Sequence, residues 1–130
     1  MTSSNSDDLL EAGASSLNGL RILVVEDSWS VGAALKRLLE ACGADVMGPA
    51  ATTADAARLL SEHTIDVALV DINLRGGELG YTLIDQLHDQ GIRIVVITGY
   101  DDVPLQQEKV EAVLRKPVPT QELFRILSRE

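Results

Sequence analysis

Charged or polar side chains follow each of four short apolar runs along this chain. Glu26 and Asp27 follow the first run, Asp71 the second and Thr98 the third, and Lys116 follows the fourth after one intervening residue. Apolar runs of this length are typical of strands buried in a parallel sheet. If the four runs are neighbouring parallel strands, three carboxylates, a hydroxyl and an ammonium meet at one edge of the sheet.

Such a group of side chains is suited to binding a metal ion and a phosphate. Two carboxylates about 4 Å apart repel each other by roughly 4 kcal/mol at a surface-like effective dielectric, so three of them need positive charge nearby. Mg²⁺ fits, because it takes one or two carboxylates, keeps several waters and adds a phosphate oxygen. An Asp placed there can act as a nucleophile toward phosphorus, with the metal and Lys116 stabilising the transferring group. Asp71 lies between the acidic pair and the Thr98 and Lys116 side, so we predict that it is the nucleophile.

The elements that position these residues follow from an alternation of strand-length apolar runs and segments of helical period after Leu20. Five strands, each followed by a helical segment with right-handed crossovers, predict an α/β fold: a doubly wound parallel sheet in a flavodoxin-like three-layer sandwich. We expect the strand order 2-1-3-4-5. The ligand site of such a sheet lies beyond the carboxyl ends of the strands where the order reverses, between the first and third strands. Those strands end in Glu26-Asp27 and Asp71.

The helical segments have recognisable starts and ends. The first spans about Ser28 to Cys42, with Ser28 as a cap and Gly43 just past its end. The next strand, about Asp45 to Met47, is expected to end at Gly48-Pro49. The remaining helices are predicted from Thr52 and Asp55 through Leu59-Leu60, from about Tyr81 to Gln90, and from Pro119-Thr120 with Leu123, Ile126 and Leu127 buried. The segment after Thr98 contains Gly99, Asp101-Asp102 and Pro104, so we predict a short or irregular fourth helix.

Composition limits the possible functions. A chain of 130 residues with 45% apolar residues fits one domain. The net charge of -9 argues against contact with nucleic acid or an anionic membrane surface. No apolar run approaches the roughly 20 residues of a membrane span, and the first residues lack the features of a secretory signal. The single cysteine, Cys42, suits a reducing cytosol, so we expect a cytoplasmic protein. Residues 1–18 are predicted to be a flexible tail and residues 19–130 the folded domain.

The residues at the strand ends give the chain a resemblance to the response-regulator receiver family over about Leu20 to Arg129. The resemblance implies a bacterial two-component or phosphorelay signalling protein, CheY-like in fold. Its phosphoryl donor would be a histidine kinase or a histidine phosphotransferase, and Asp71 would be the phosphoacceptor. It implies a monomer or weak homodimer without enzymatic activity on a separate substrate, which assists only its own Mg²⁺-dependent phosphorylation and dephosphorylation.

The resemblance also assigns a role to each residue of the site. Mg²⁺ would be held by the carboxylates of Glu26, Asp27 and Asp71 and by the backbone carbonyl of Asn73. The phosphoryl group would be bound by Thr98 and Lys116. The Lys116-Pro117 bond is often cis in this family.

Two features of the chain concern the output of the signal. Receivers usually carry a Tyr or Phe three residues before the lysine, and this chain has Val113 there. Together with Ile97-Thr98-Gly99-Tyr100, Asp71-Ile72-Asn73-Leu74 and the short Thr98-to-Lys116 spacing, this resembles the single-domain receivers called the FAT GUY group. Because the sequence ends at Glu130, right after the last helix, we expect output through contact with another protein or through phosphate transfer.

Three other functions fit these residues less well. A receiver that no longer accepts phosphate would be only a docking protein, but all five motif positions are present. A haloacid-dehalogenase-like phosphatase also uses an Asp nucleophile, yet it needs a second acid two residues on, where this chain has Asn73. A nucleotide-binding module needs a glycine-rich turn after the first strand, and that turn here reads Glu-Asp-Ser-Trp-Ser.

Overall fold

Five strands form one parallel sheet in the order β2-β1-β3-β4-β5. They are seen in a computed structural model, which describes residues 17–72, 81–99 and 107–128. The strands are β1 (Arg21–Val25), β2 (Asp45–Ala50), β3 (Val67–Asp71), β4 (Arg93–Thr98) and β5 (Ala112–Arg115). Every neighbouring pair runs parallel. The predicted doubly wound α/β fold and its strand order are confirmed.

Four α-helices connect or follow the strands within the described ranges. They are α1 (Trp29–Ala41), α2 (Thr53–Glu62), α3 (Tyr81–Asp89) and α4 (Thr120–Leu127). The predicted caps are present: Ser28 Oγ accepts from Val31 N at 3.4 Å, and Thr52 Oγ1 accepts from Asp55 N at 3.1 Å. Of the predicted short or irregular fourth helix, the described part is a 3₁₀ turn over Gln107–Lys109, while residues 100–106 lie outside the described residues.

Successive strand residues point to opposite faces of the sheet and form two hydrophobic clusters. One cluster lies between the sheet and helices α1 and α4, and it includes Val24 and Leu69. The other lies between the sheet and helices α2 and α3, and it includes Val25 and Val70. All residues of β3 are buried, as expected for a central strand covered on both faces. The sheet with its two helical layers fixes the strand ends as a rigid platform for the site.

Strand β2 is longer than predicted. The sequence pattern placed its end at Gly48-Pro49, but the strand continues to Ala50, whose carbonyl accepts a hydrogen bond from Glu26 N at 2.8 Å. Proline has no N–H to donate, which suggested a stop. The register between β1 and β2 shifts here, from Leu23 opposite Met47 to Val25 opposite Ala50, so Gly48 and Pro49 form an irregularity without ladder partners and the strand resumes at Ala50.

The packed domain also reaches further than predicted toward the start of the chain. Leu17 is only 1% exposed, and its N–H lies 3.3 Å from the Cys42 carbonyl oxygen. The folded part therefore includes residues 17 and 18, on the tail side of the predicted boundary. Residues 1–16, the rest of the predicted tail, lie outside the described residues. None of the helices in the described ranges has the length and apolar character needed to cross a membrane.

The ion pair between Arg21 and Asp66 should make stability depend on pH. Arg21 donates to Asp66 Oδ2 through its backbone N at 2.8 Å and through Nε at 3.2 Å. These hydrogen bonds, above all the one from the Arg21 side chain, hold the pKa of Asp66 below its ordinary 3.8. Burial has a smaller effect in the opposite direction. A lowered pKa means that the ionised carboxylate adds stability above pH 3.8 and that this contribution is lost as pH falls through the folded-state pKa.

We therefore expect Asp66→Asn to lower the melting temperature at pH 7 by about 2–4 °C, a small effect because the pair is largely exposed. The difference from wild type should shrink when melting is measured below pH 3.8. Glu40→Gln removes an exposed carboxylate for which the structure gives no such bond, and it serves as a control. A difference for Asp66→Asn that stays constant with pH would contradict this prediction.

Candidate functional site

The ends of four strands bring the site residues together at one edge of the sheet. Glu26 and Asp27 follow β1, Asp71 is the last residue of β3 and Thr98 the last residue of β4, while Lys116 follows β5. The register places Asp71 opposite Ile97 and Thr98 opposite Arg115, so these ends are aligned. The shared edge arises because parallel strands all present their carboxyl ends on the same side.

Three carboxylates form an acidic cluster at this edge. One oxygen each from Glu26, Asp27 and Asp71 lies within 4.8 Å of the others. Glu26 is 2% exposed and Asp71 4% exposed, whereas Asp27 is half-buried. Oxygen donors of this type and number suit a hard divalent cation such as Mg²⁺, which takes few protein ligands and completes its shell with water.

Lys116 reaches into the acidic cluster. Its Nζ donates a hydrogen bond to Asp71 Oδ2 at 3.0 Å and also lies 3.0 Å from Glu26 Oε1. The second approach is an ion pair, and Oε1 is a buried acceptor without a hydrogen-bond partner among the described residues. The backbone N of Lys116 donates a hydrogen bond to the Thr98 carbonyl oxygen at 2.8 Å. This bond holds the Lys116 backbone next to the end of β4.

The electrostatics of this arrangement favour additional positive charge. Burial raises the pKa of Glu26 above its ordinary 4.5, and the charge of Asp71 raises it further, although Ser28 N–H and Lys116 act in the opposite direction. Burial alone would lower the pKa of Lys116, but its hydrogen bond to Asp71 and its ion pairing with Glu26 outweigh burial and raise that pKa above 10.5. Lys116 is thus a permanent cation beside carboxylates that it does not fully neutralise. The open acceptor capacity of Glu26 Oε1 and the all-oxygen donor set fit a bound Mg²⁺.

The remaining predicted residues are placed as follows. Thr98 is buried at 1% exposure at the end of β4, and the Lys116-Pro117 peptide bond is cis. Val113, where receivers usually have an aromatic residue, lies in β5 opposite Val96 and is 38% exposed. Asn73 lies outside the described residues.

Two contributors near the site were missed by sequence reasoning. Ser28 was expected only to cap α1, but its backbone N also donates to Glu26 Oε2 at 3.0 Å. An apolar groove of about 390 Å³ runs beside Lys116, between α1 and the segment that leads into α4. We call it the α1 groove, and its lining includes Val31, Leu38 and Val118. The apolar positions of α1 indicate the groove in the sequence, since they extend onto the side of the helix that faces Val118.

Comparison with known proteins finds one consistent family. A family model described as "Response regulator receiver domain" matches residues 22–128. The aerobic respiration control protein ArcA of Escherichia coli K12 is 37% identical over 82 residues, which cover 62% of this chain and 34% of ArcA. The match therefore spans about a third of the length of that relative.

Solved structures are similar over most of the described fold. The signal receiver domain of a modulated diguanylate cyclase from Desulfovibrio desulfuricans G20 has a TM-score of 0.74 and 31% identity, covering 85% of this chain and 91% of that one. A CheY-like receiver domain from Methylobacillus flagellatus has a TM-score of 0.71 and 27% identity, covering 85% of this chain and 97% of that one. Sequence and structure thus lead to the same group of proteins.

Proposed function

Because this chain belongs to the response-regulator receiver family, with residues 22–128 matched, we propose that Asp71 accepts a phosphoryl group from a phosphohistidine donor. The chain is the receiver domain of a two-component system. The observation that carries the proposal is the 3.0 Å contact of Lys116 Nζ with Asp71 Oδ2 inside the acidic cluster. It places a fixed positive charge beside a carboxylate that is held at the edge of the sheet.

In the proposed reaction a carboxylate oxygen of Asp71 attacks the phosphorus of the phosphohistidine. A P–O bond forms, the P–N bond breaks, and the electron pair of that bond returns to the imidazole nitrogen of the donor. Lys116 remains charged throughout and stabilises the negative charge on the transferring group. The Thr98 hydroxyl, at the adjacent strand end, would bind a phosphoryl oxygen in the acyl phosphate that results.

The acidic cluster would serve as the Mg²⁺ site. Glu26, Asp27 and Asp71 would hold the ion, with the Asn73 carbonyl as the further ligand that the family resemblance implies. Bound Mg²⁺ would supply the positive charge that offsets the carboxylates and the incoming phosphoryl group. Lys116 contributes a single positive charge against three carboxylates, which supports the need for a divalent ion.

We further propose that the donor, a histidine kinase or histidine phosphotransferase, binds over the start of α1. Trp29 is 80% exposed there, and the α1 groove continues from that helix to Lys116. Trp29 directly precedes Ser30, which lines the groove, and an exposed tryptophan is typical of a protein interface, where aromatic side chains supply much of the binding energy. A donor seated on this surface would have its histidine close to the end of β3, because Lys116 contacts both the groove and Asp71.

The remaining functional assignments are also proposals. We propose that the protein acts in the cytoplasm, signals or relays phosphate through contact with another protein, and turns over no substrate other than its own phosphoryl group. Membership of the FAT GUY subgroup and a monomeric or weakly dimeric state stay predictions. The exposed Val113 supports an output that does not use the usual aromatic side chain.

The proposal is tested by incubating the purified chain with Mg²⁺ and acetyl phosphate and measuring its intact mass. We expect a gain of one phosphoryl group in Mg²⁺ and no gain when EDTA is present from the start. Without the metal ion, the acidic cluster cannot accept the additional negative charge of the phosphoryl group. Transfer from a phosphorylated histidine phosphotransferase provides a second donor. No gain of mass with either donor would contradict the proposal and favour a docking protein that no longer accepts phosphate.

A further inference from the structure

Gly32, in the first part of α1, permits an unusually close approach between that helix and strand β2. A Cβ at Gly32 would lie 2.6 Å from Pro49 Cγ and 2.7 Å from Pro49 Cβ, closer than real side chains pack. The same Cβ would lie 3.7 Å from Glu26 Cγ, an ordinary contact distance. Because the Pro49 ring is joined to the backbone at both ends, it cannot swing aside as the tip of a flexible side chain can. The spacing between α1 and the end of β2 therefore depends on the absence of a side chain at position 32.

The two elements that meet at Gly32 also hold Glu26 from two sides. From β2, the Ala50 carbonyl accepts a hydrogen bond from Glu26 N at 2.8 Å. From the start of α1, Ser28 N donates to Glu26 Oε2 at 3.0 Å. Gly32 N donates to the Ser28 carbonyl oxygen at 2.9 Å, which ties the position of Ser28 to that of Gly32.

We propose that Gly32 and Ser28 are positioning residues for the metal site, acting through Glu26. The inference rests on the proposed function, in which Glu26 is a Mg²⁺ ligand. A methyl group at position 32 would force α1 and β2 apart, so that Ser28 N–H and the Ala50 carbonyl would pull on Glu26 in opposite directions. The Glu26 carboxylate would then move relative to Asp71. Loss of such a supporting contact around a metal ligand typically weakens metal binding about 10- to 100-fold.

The test compares Mg²⁺ binding by Gly32→Ala and wild type, using isothermal titration calorimetry with MgCl₂ on the full chain. We expect the Kd to rise about tenfold or more for Gly32→Ala. Gly43→Ala is the matched control, since it adds a methyl group at the opposite end of α1. Gly43 has a φ of +96°, and a Cβ there would lie 2.9 Å from Asn18 Cα, so this variant should lose stability without disturbing Glu26. Both variants should melt at lower temperature, but only Gly32→Ala should bind Mg²⁺ more weakly.

Should Gly32→Ala fail to fold, a second comparison tests the same assignment at Ser28. Ser28→Pro and Ser28→Ala both lose the hydroxyl that caps α1, but only Ser28→Pro also loses the N–H that holds Glu26 Oε2. The φ of -79° at Ser28 is compatible with proline. We expect the Kd for Mg²⁺ to be about tenfold higher for Ser28→Pro than for Ser28→Ala.

Each result supports or overturns the assignment. Equal Mg²⁺ affinity of wild type and folded Gly32→Ala, or of the two Ser28 variants, would overturn it and leave the proposed function intact. Equal weakening by Gly32→Ala and Gly43→Ala would overturn it as well, because general destabilisation would then explain the loss. A wild-type chain that binds no Mg²⁺ would refute the proposed function itself.

Discussion

Asp71→Asn is expected to abolish the gain of a phosphoryl group from acetyl phosphate, the largest effect that we predict for any single substitution. An amide oxygen carries no negative charge and is a far weaker nucleophile than a carboxylate, so no acyl phosphate should form. Asn has nearly the same size as Asp, and the variant should fold because the surrounding packing at the end of β3 is preserved. The substitution also removes one carboxylate from the acidic cluster and so reduces the repulsion among the carboxylates there.

The measurement is the intact mass after incubation with Mg²⁺ and acetyl phosphate, with circular dichroism as the check that the variant is folded. Asp66→Asn is the matched control. It makes the same chemical change just before β3 begins, at the end of the strand opposite to Asp71, and this variant should still gain one phosphoryl group. If Asp71→Asn still gained that mass, the nucleophile would have to be another carboxylate, and Glu26 or Asp27 would be the next to test.

Lys116→Ala is expected to slow phosphorylation by about 100-fold or more, since removal of one preorganised charge or donor at a reacting group typically costs that much. The Asp71 carboxylate would lose its 3.0 Å partner, and the transferring group would lose the cation on that side. The rate is measured from the intact mass as a function of time in Mg²⁺ and acetyl phosphate. Lys109→Ala removes a lysine paired with Asp85 away from the site, and it should react at the wild-type rate.

Lys116→Ala should also change how the melting temperature depends on pH. The pKa of Glu26 is already raised above 4.5, chiefly by burial, and Lys116 is one of the groups that lower it. Without Lys116 this pKa should rise further. A group with a raised folded-state pKa adds stability below its unfolded pKa and loses that contribution as pH rises through the folded-state pKa. In Mg²⁺-free buffer, the melting temperature of Lys116→Ala should therefore fall further below wild type as pH rises from 4.5 toward neutrality.

A melting difference that stays the same across this range would mean that Lys116 does not control the ionisation of Glu26. An unchanged phosphorylation rate in Lys116→Ala would refute the role in the reaction that we assign to the lysine. The two measurements are independent, because the first is made without metal or phosphodonor and the second requires both.

The fold was predictable because its elements carry strong local signals. The apolar run before Asp71 has the length and composition typical of a central strand, and the spacing of apolar residues after Ser28 predicts a helix with one buried face. With parallel strands in the order 2-1-3-4-5, the gathering of Glu26, Asp71 and Lys116 follows from topology alone. No side-chain detail was needed for that step.

The features that escaped prediction all depend on contacts between segments distant in sequence. Gly48-Pro49 predicts a strand end, and only the pairing with β1 shows that these residues form an irregularity after which the strand resumes at Ala50. Leu17 lies in a stretch without periodicity, and its burial depends on the Cys42 carbonyl and the core beneath it. The second role of Ser28 could not be anticipated because its backbone N–H has no signature in the sequence.

The close contact between Gly32 and Pro49 has a consequence for how sequences of this kind can diverge. A Cβ at position 32 would lie only 2.6 Å from Pro49 Cγ and 2.7 Å from Pro49 Cβ, so a side chain there fits only if position 49 moves or loses its own side chain. The residue that position 32 can carry therefore depends on position 49, although neither belongs to the acidic cluster. A receiver that acquires a side chain at the first of these positions must also move or replace the second, or give up the present placement of its first acidic residue.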